Sequence, residues 1–118
     1  MDWIELKKKE QLEAIKRASF GQPVLIYKHS TRCGTSTLVK NKLERKWNIN
    51  EAGELKTYYL DLINNRDISN QIASEFGVFH ESPQVLIIRN GKSVYDASHF
   101  WISYSAILEH ILVKKNQN

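Results

Sequence analysis

Apolar positions along the chain change period several times, and each change predicts an element. Residues 3–6 (Trp-Ile-Glu-Leu) alternate like a short strand, and over residues 8–19 Leu12, Ile15 and Ala18 recur at helical spacing with charges between them. Gly21 and Pro23 interrupt this pattern before Val24, Leu25, Ile26 and Tyr27, a continuous apolar run that suits a strand buried on both faces of a partly parallel sheet. A polar loop follows at residues 29–32. Leu38, Val39, Leu43 and Trp47 then mark one face of a helix that begins near Gly34 or Thr35. Residues 48–53 read as a break, residues 56–62 are rich in strand formers, and Ile68, Ile72 and Phe76 define another helix with Gly77 as its C-terminal cap. Two strand-like segments, 85–89 and 93–96, flank Asn90-Gly91-Lys92, a spacing that predicts a tight antiparallel hairpin. Ile107, Leu108, Ile111 and Leu112 lie on one stripe of a final amphipathic helix over residues 102–113, ahead of a polar tail.

The order is therefore strand, helix, strand, helix, strand, helix, hairpin, helix. Two strand-helix-strand units call for right-handed parallel crossovers, so an α/β architecture around a mixed sheet is expected. At 118 residues the chain suits a single domain over residues 1–118, with no internal repeat. Its longest apolar runs, 24–27 and 85–88, fall far short of the roughly 20 residues of a membrane span. The first residues mix acid and base with no apolar stretch behind them, which argues against a secretory signal; a cytoplasmic protein without a membrane role is expected.

Seventeen Lys and Arg against thirteen Asp and Glu give a net charge of +4, enough for weak attraction to anions. The bases are scattered, apart from Lys7, Lys8, Lys9 and the Lys114-Lys115 pair, and no nucleic-acid motif accompanies them, so no nucleic-acid partner is expected. His29, His80, His99 and His110 lack metal-ligand spacing, and no metal site is expected.

Cys33 is the single cysteine, which removes internal disulfides and cysteine-based zinc clusters. A cysteine at the first turn of a helix meets free backbone N–H groups and the positive end of the helix dipole, and both favour thiolate over thiol. Arg32 and His29 stand close in sequence to add positive charge or a hydrogen bond to the sulfur. A lone cysteine is also commonly a small buried hydrophobe; the polar company of Ser30, Thr31, Arg32, Thr35 and Ser36 points instead to a reactive thiol. Ser36, one turn into the helix, is placed either to hydrogen-bond the sulfur or to cap the helix, and Thr35 shares that ambiguity. Gly34 leaves room for a ligand's sulfur to approach the backbone. A second signal is Glu81-Ser82-Pro83-Gln84, which leads into an apolar strand. With a cis Ser82-Pro83 bond, Ser82 would present its N–H and C=O to an extended thiol ligand; an ordinary trans proline opening a strand is the alternative.

A cysteine at a helix start after strand and loop, followed by Phe76-Gly77-Val78, a loop proline and the strand that runs into Asn90-Gly91-Lys92, resembles the thioredoxin fold. Two departures matter. The usual Cys-x-x-Cys is here Cys33-Gly34-Thr35-Ser36, and the acid that many thioredoxins bury six residues before the nucleophile is Tyr27, so dithiol reductase chemistry is excluded. Residues 27–36, with Trp3 and Ser82-Pro83-Gln84, resemble the monothiol bacilliredoxin (YtxJ-like) family, with Gly34 standing where many members carry a proline.

That resemblance implies a thioredoxin-like fold, a central mixed β-sheet with helices on both faces. It implies Cys33 as a nucleophile that takes bacillithiol from S-bacillithiolated client proteins, with Ser36 at the helix entrance and Pro83 as the cis-proline. Bacillithiol is then co-substrate, a second small thiol regenerates Cys33, no cofactor is needed, and a monomer active in redox homeostasis and stress response is expected. The ligand's carboxylates make Lys28, Arg32 and Lys40 candidates for binding it, though each also reads as an ordinary surface base. Two other readings stay open: an iron-sulfur carrier like the monothiol glutaredoxins, whose Cys-Gly-Phe-Ser differs from Cys33-Gly34-Thr35-Ser36 at one position, and a non-catalytic thioredoxin-like binding module.

Overall fold

The computed structural model, which describes residues 1–112, has the expected succession of strands and helices with a short helix and a 3-10 turn added to it. Val113, at the end of the expected last helix, and the Lys114-Lys115 pair lie outside the described residues. The elements are β1 (Trp3–Glu5), α1 (Glu10–Ala18), β2 (Val24–His29), α2 (Gly34–Lys46), α3 (Ile49–Ala52), β3 (Thr57–Asp61), α4 (Arg66–Phe76), β4 (Gln84–Arg89), β5 (Lys92–Ser98) and α5 (Tyr104–Leu112). A single 3-10 turn, His99–Trp101, separates β5 from α5.

β2 takes in Lys28 and His29, so the polar loop begins at Ser30 and not at His29. Three further differences from the sequence reading have local causes. Residues 48–53 hold the short turn α3, because the Asn48 side chain accepts a hydrogen bond from the Asn50 N–H at 2.9 Å and caps it. β5 runs on to Ser98, which pairs with Gln84, so the last strand is longer than its alternation suggests. The last helix begins at Tyr104, since the 3-10 turn occupies the preceding chain.

Five strands form one sheet in the order β1-β3-β2-β4-β5. β1 and β2 both pair parallel with β3, whereas β4 pairs antiparallel with β2 and β5. Asn90 and Gly91 both take positive φ, 54° and 76°, as a two-residue hairpin matched to strand twist requires. Helices cover both faces. Val24 and Ile26 of β2 pack with Leu12 and Ile15 of α1 and with Ile68 and Ile72 of α4; Leu25 and Tyr27 pack with Val39 and Leu43 of α2 and with Ile107 and Ile111 of α5. The same alternation sorts the last two residues of β2: Lys28 continues the α1/α4 face and His29 the α2/α5 face. No helix among the described residues is long and apolar enough to cross a membrane.

Candidate active site at the start of α2

β2 and β4 carry two loops to one end of the sheet. Lys28 pairs with Gln84, so a further step brings His29 at the end of β2 level with Pro83 ahead of β4. The Ser82-Pro83 peptide bond is cis. Four residues past His29, Cys33 is the N-cap of α2, with extended backbone at φ −115° and ψ 112°. Its loop is closed by the Cys33 N–H donating to the Ser30 carbonyl at 3.2 Å and the Arg32 N–H donating to Ser30 Oγ at 3.3 Å. The Cys33 carbonyl accepts the first helical bond, from Thr37 N–H at 3.3 Å. The thiol is free and half-buried, and caps none of the amides of α2.

Ser36 is turned away from the sulfur. It is fully buried, and its Oγ lies 2.6 Å from His29 Nδ1 while accepting from the Ser30 N–H at 3.2 Å. Its carbonyl accepts from the Tyr27 hydroxyl at 2.9 Å. The expected contact with the sulfur is thus replaced by a structural one, in which the hydroxyl ties α2 to the loop before Cys33. Removing it strands two buried polar groups, His29 Nδ1 and the Ser30 N–H. Ser36→Ala is therefore expected to cost about 2 kcal/mol, read as a lower urea midpoint; an unchanged midpoint would contradict the role of this hydroxyl.

The other candidates separate by face. Burial pushes the His29 imidazole below its ordinary pKa, and Lys40 pushes the same way. At neutral pH the ring is neutral and engaged with Ser36, which corrects the expectation that it adds positive charge beside the thiol. Lys28 is not a surface base either. It is fully buried on the α1/α4 face and donates to the Ser69 carbonyl at 3.2 Å, with His80 Nδ1 3.4 Å away. Burial pushes its ammonium down to about 8. Lys40 is half-buried and held by Glu44 at 2.7 Å, 5.1 Å above the Tyr59 ring and 5.6 Å from the Trp3 ring, so its charge is already occupied.

Arg32 is exposed on the Cys33 loop, the one candidate base whose placement suits an incoming anion. Thr35 is half-buried, and Gly34 is exposed with nothing within 4 Å of where a Cβ would stand, so the backbone beside the thiol is open to approach. Ser82 makes no backbone hydrogen bond within the described residues, and its buried Oγ has no partner. The proline loop is otherwise well held, by Gln84 Nε2 donating to the Phe79 carbonyl at 3.0 Å and the His99 N–H donating to the Pro83 carbonyl at 3.0 Å. Sequence reasoning passed over the Lys28-Ser69-His80 cluster and the His-Phe-Trp turn after β5; for the turn, two large aromatics beside a strand end were the available signal.

A central parallel pair flanked by an antiparallel hairpin, with a thiol at the start of the helix after β2 and a cis-proline at the entry to β4, is a thioredoxin arrangement. Solved structures agree. The thioredoxins of Malassezia sympodialis and Fasciola hepatica superpose with TM-scores of 0.73 and 0.68 at 13% and 20% identity, covering 95% and 92% of this chain and 90% and 96% of theirs. Another structure, assigned a thioredoxin fold and provisionally an oxidoreductase role, is 29% identical over 90% of each chain with a TM-score of 0.77. The chain belongs to the monothiol bacilliredoxin family, whose model, described as monothiol bacilliredoxin BrxC, matches residues 4–107. Its function is a redox one.

Proposed function

We propose that the protein removes bacillithiol from S-bacillithiolated proteins, using Cys33 as its single nucleophile. The observation that carries this reading is the state of Ser36. At the position of a resolving cysteine stands a fully buried hydroxyl bonded to His29 and the Ser30 N–H, so a mixed disulfide on Cys33 has no internal thiol to release it. Resolution must come from outside.

In the first step the Cys33 thiolate attacks the bacillithiol sulfur of the client's mixed disulfide. The bond between Cys33 and that sulfur forms as the client S–S bond breaks, and the client thiolate leaves and takes up a proton. In the second step a free bacillithiol thiolate attacks the same sulfur, forming bacillithiol disulfide and returning Cys33 as thiolate. The sum is client mixed disulfide plus bacillithiol giving client thiol plus bacillithiol disulfide, with atoms and electrons balanced. The first-turn amides of α2 carry no side-chain cap and stand at the end of the helix where the sulfur exchanges its partner. Ser82, whose backbone makes no hydrogen bond among the described residues, pairs with the extended thiol ligand in this reading. Arg32 offers charge-assisted hydrogen bonds to its carboxylates. One chain suffices, since thiol, helix and proline loop come from one domain.

Intact-mass measurement tests this. Incubation with bacillithiol disulfide is expected to add one bacillithiol to Cys33, and free bacillithiol to remove it, with glutathione disulfide reacting more slowly. Absence of an adduct, or an adduct that free bacillithiol leaves in place, defeats the proposal.

A further inference from the structure

Beside the candidate site, the 3-10 turn holds two large aromatics out to solvent: Phe100 is 72% exposed and Trp101 83%. Phe100 also borders a groove of about 140 Å³ between α2 and the chain after β5. Val39, Leu43 and Ile102 are the buried residues that line it, Lys42 and Lys46 bring two cations, and among the described residues no carboxylate lines it. A cavity of about 150 Å³ accommodates one benzene ring, so this groove takes a single apolar side chain.

Its position relative to Cys33 follows from helix geometry. Val39 lies six residues beyond Cys33 and Leu43 ten, which at 1.5 Å per residue sets the groove about 9–15 Å along α2 from the thiol. An extended chain crosses that distance in about three to five residues at 3.3 Å each. The turn that borders the groove is fastened to the proline loop by the His99 N–H on the Pro83 carbonyl.

We propose that this groove docks the client polypeptide, and that it selects an acidic segment which places one Leu or Phe three to five residues from the modified cysteine. The inference rests on the proposed function and names the partner class of that site. Two lysines without a carboxylate ask for Asp or Glu on either side of the anchoring residue. A second copy of this chain, itself at +4, lacks that complementarity.

The test uses two synthetic peptides, one with Asp-Leu-Asp set three residues to each side of a central cysteine and one with Lys-Ser-Lys there instead. With serine replacing the cysteine, fluorescence anisotropy is expected to show the acidic peptide binding about tenfold tighter to the wild type, a preference lost in Lys42→Glu/Lys46→Glu and weakened in Phe100→Ala. With an S-bacillithiolated cysteine, the same ratio is expected in the transfer rate. Equal binding of the two peptides, or a preference that survives the double charge reversal, overturns the docking proposal. Wild-type protein is assayed in parallel on the mixed disulfide of bacillithiol with free cysteine. Failure there defeats the proposed function and leaves the binding result to judge the groove.

Discussion

Cys33→Ser is expected to bring bacillithiol transfer to the uncatalysed rate without loss of stability. No other sulfur nucleophile exists, since the chain has one cysteine and the serine one turn later is sealed in the core. A hydroxyl at position 33 cannot form the mixed disulfide, so no first step occurs. The fold has reason to gain. Position 33 is the N-cap of α2, its sulfur satisfies no helix amide, and serine is among the preferred capping residues. A gain of about 0.5–1 kcal/mol is expected if the introduced hydroxyl adopts that role. Intact mass spectrometry and urea denaturation on one preparation read both quantities. De-thiolation persisting at the wild-type rate would end the case for Cys33; lost activity accompanied by an unfolded protein would mean that the cysteine is structural.

Lys28→Met is expected to stabilise the protein at neutral pH and to remove a pH dependence that the wild type shows between about 8 and 10. The Lys28 ammonium is buried without a carboxylate beside it, its partners being the Ser69 carbonyl and His80 Nδ1. Burial lowers it from 10.5 to about 8, a depression worth about 3 kcal/mol against the charged form. The unfolded chain binds this proton more tightly than the folded one. Stability is therefore lowest below pH 8, rises as pH climbs from 8 toward 10.5, and levels off beyond. Above pH 10 the buried Tyr27 hydroxyl, pushed up by burial, acts in the opposite sense, so the useful window closes there. Methionine fills similar space without the charge but leaves the Ser69 carbonyl without this donor, so the net gain at pH 7 is expected to be about 1–2 kcal/mol. Urea midpoints at pH 7 and 9.5 for both proteins decide the matter. Parallel pH profiles would show that the amine is solvated in solution.

Buried and surface polar groups differ in how far their sequence neighbourhood betrays them. Val24 to Tyr27 announced a central strand, Asn90-Gly91 announced a hairpin, and the polar run into Leu38 and Val39 placed Cys33 at a helix start. His29 looked like a loop residue and Lys28 like a surface base or a ligand-binding one. Nothing in their neighbourhood shows that α4 closes over one and α2 over the other. Ser36 looked like a companion of the sulfur because it sits one turn away, but a turn of helix fixes position along the axis and leaves the hydroxyl a choice of partners.

What the sequence by itself determined is the order of the main strands and helices and the thiol's place at the first turn of α2. These depend on local periodicity, turn chemistry and spacing, which act between residues close along the chain. Only the tertiary structure decided which polar groups meet. The pairing of Lys28 with Ser69 and His80 and the groove between α2 and the turn after β5 join segments far apart in sequence, and the pairing of Ser36 with His29 and Ser30 forms only when α2 folds back against the end of β2. Their energies depend on burial and distance, and both come into being only when the sheet and its two helical layers close.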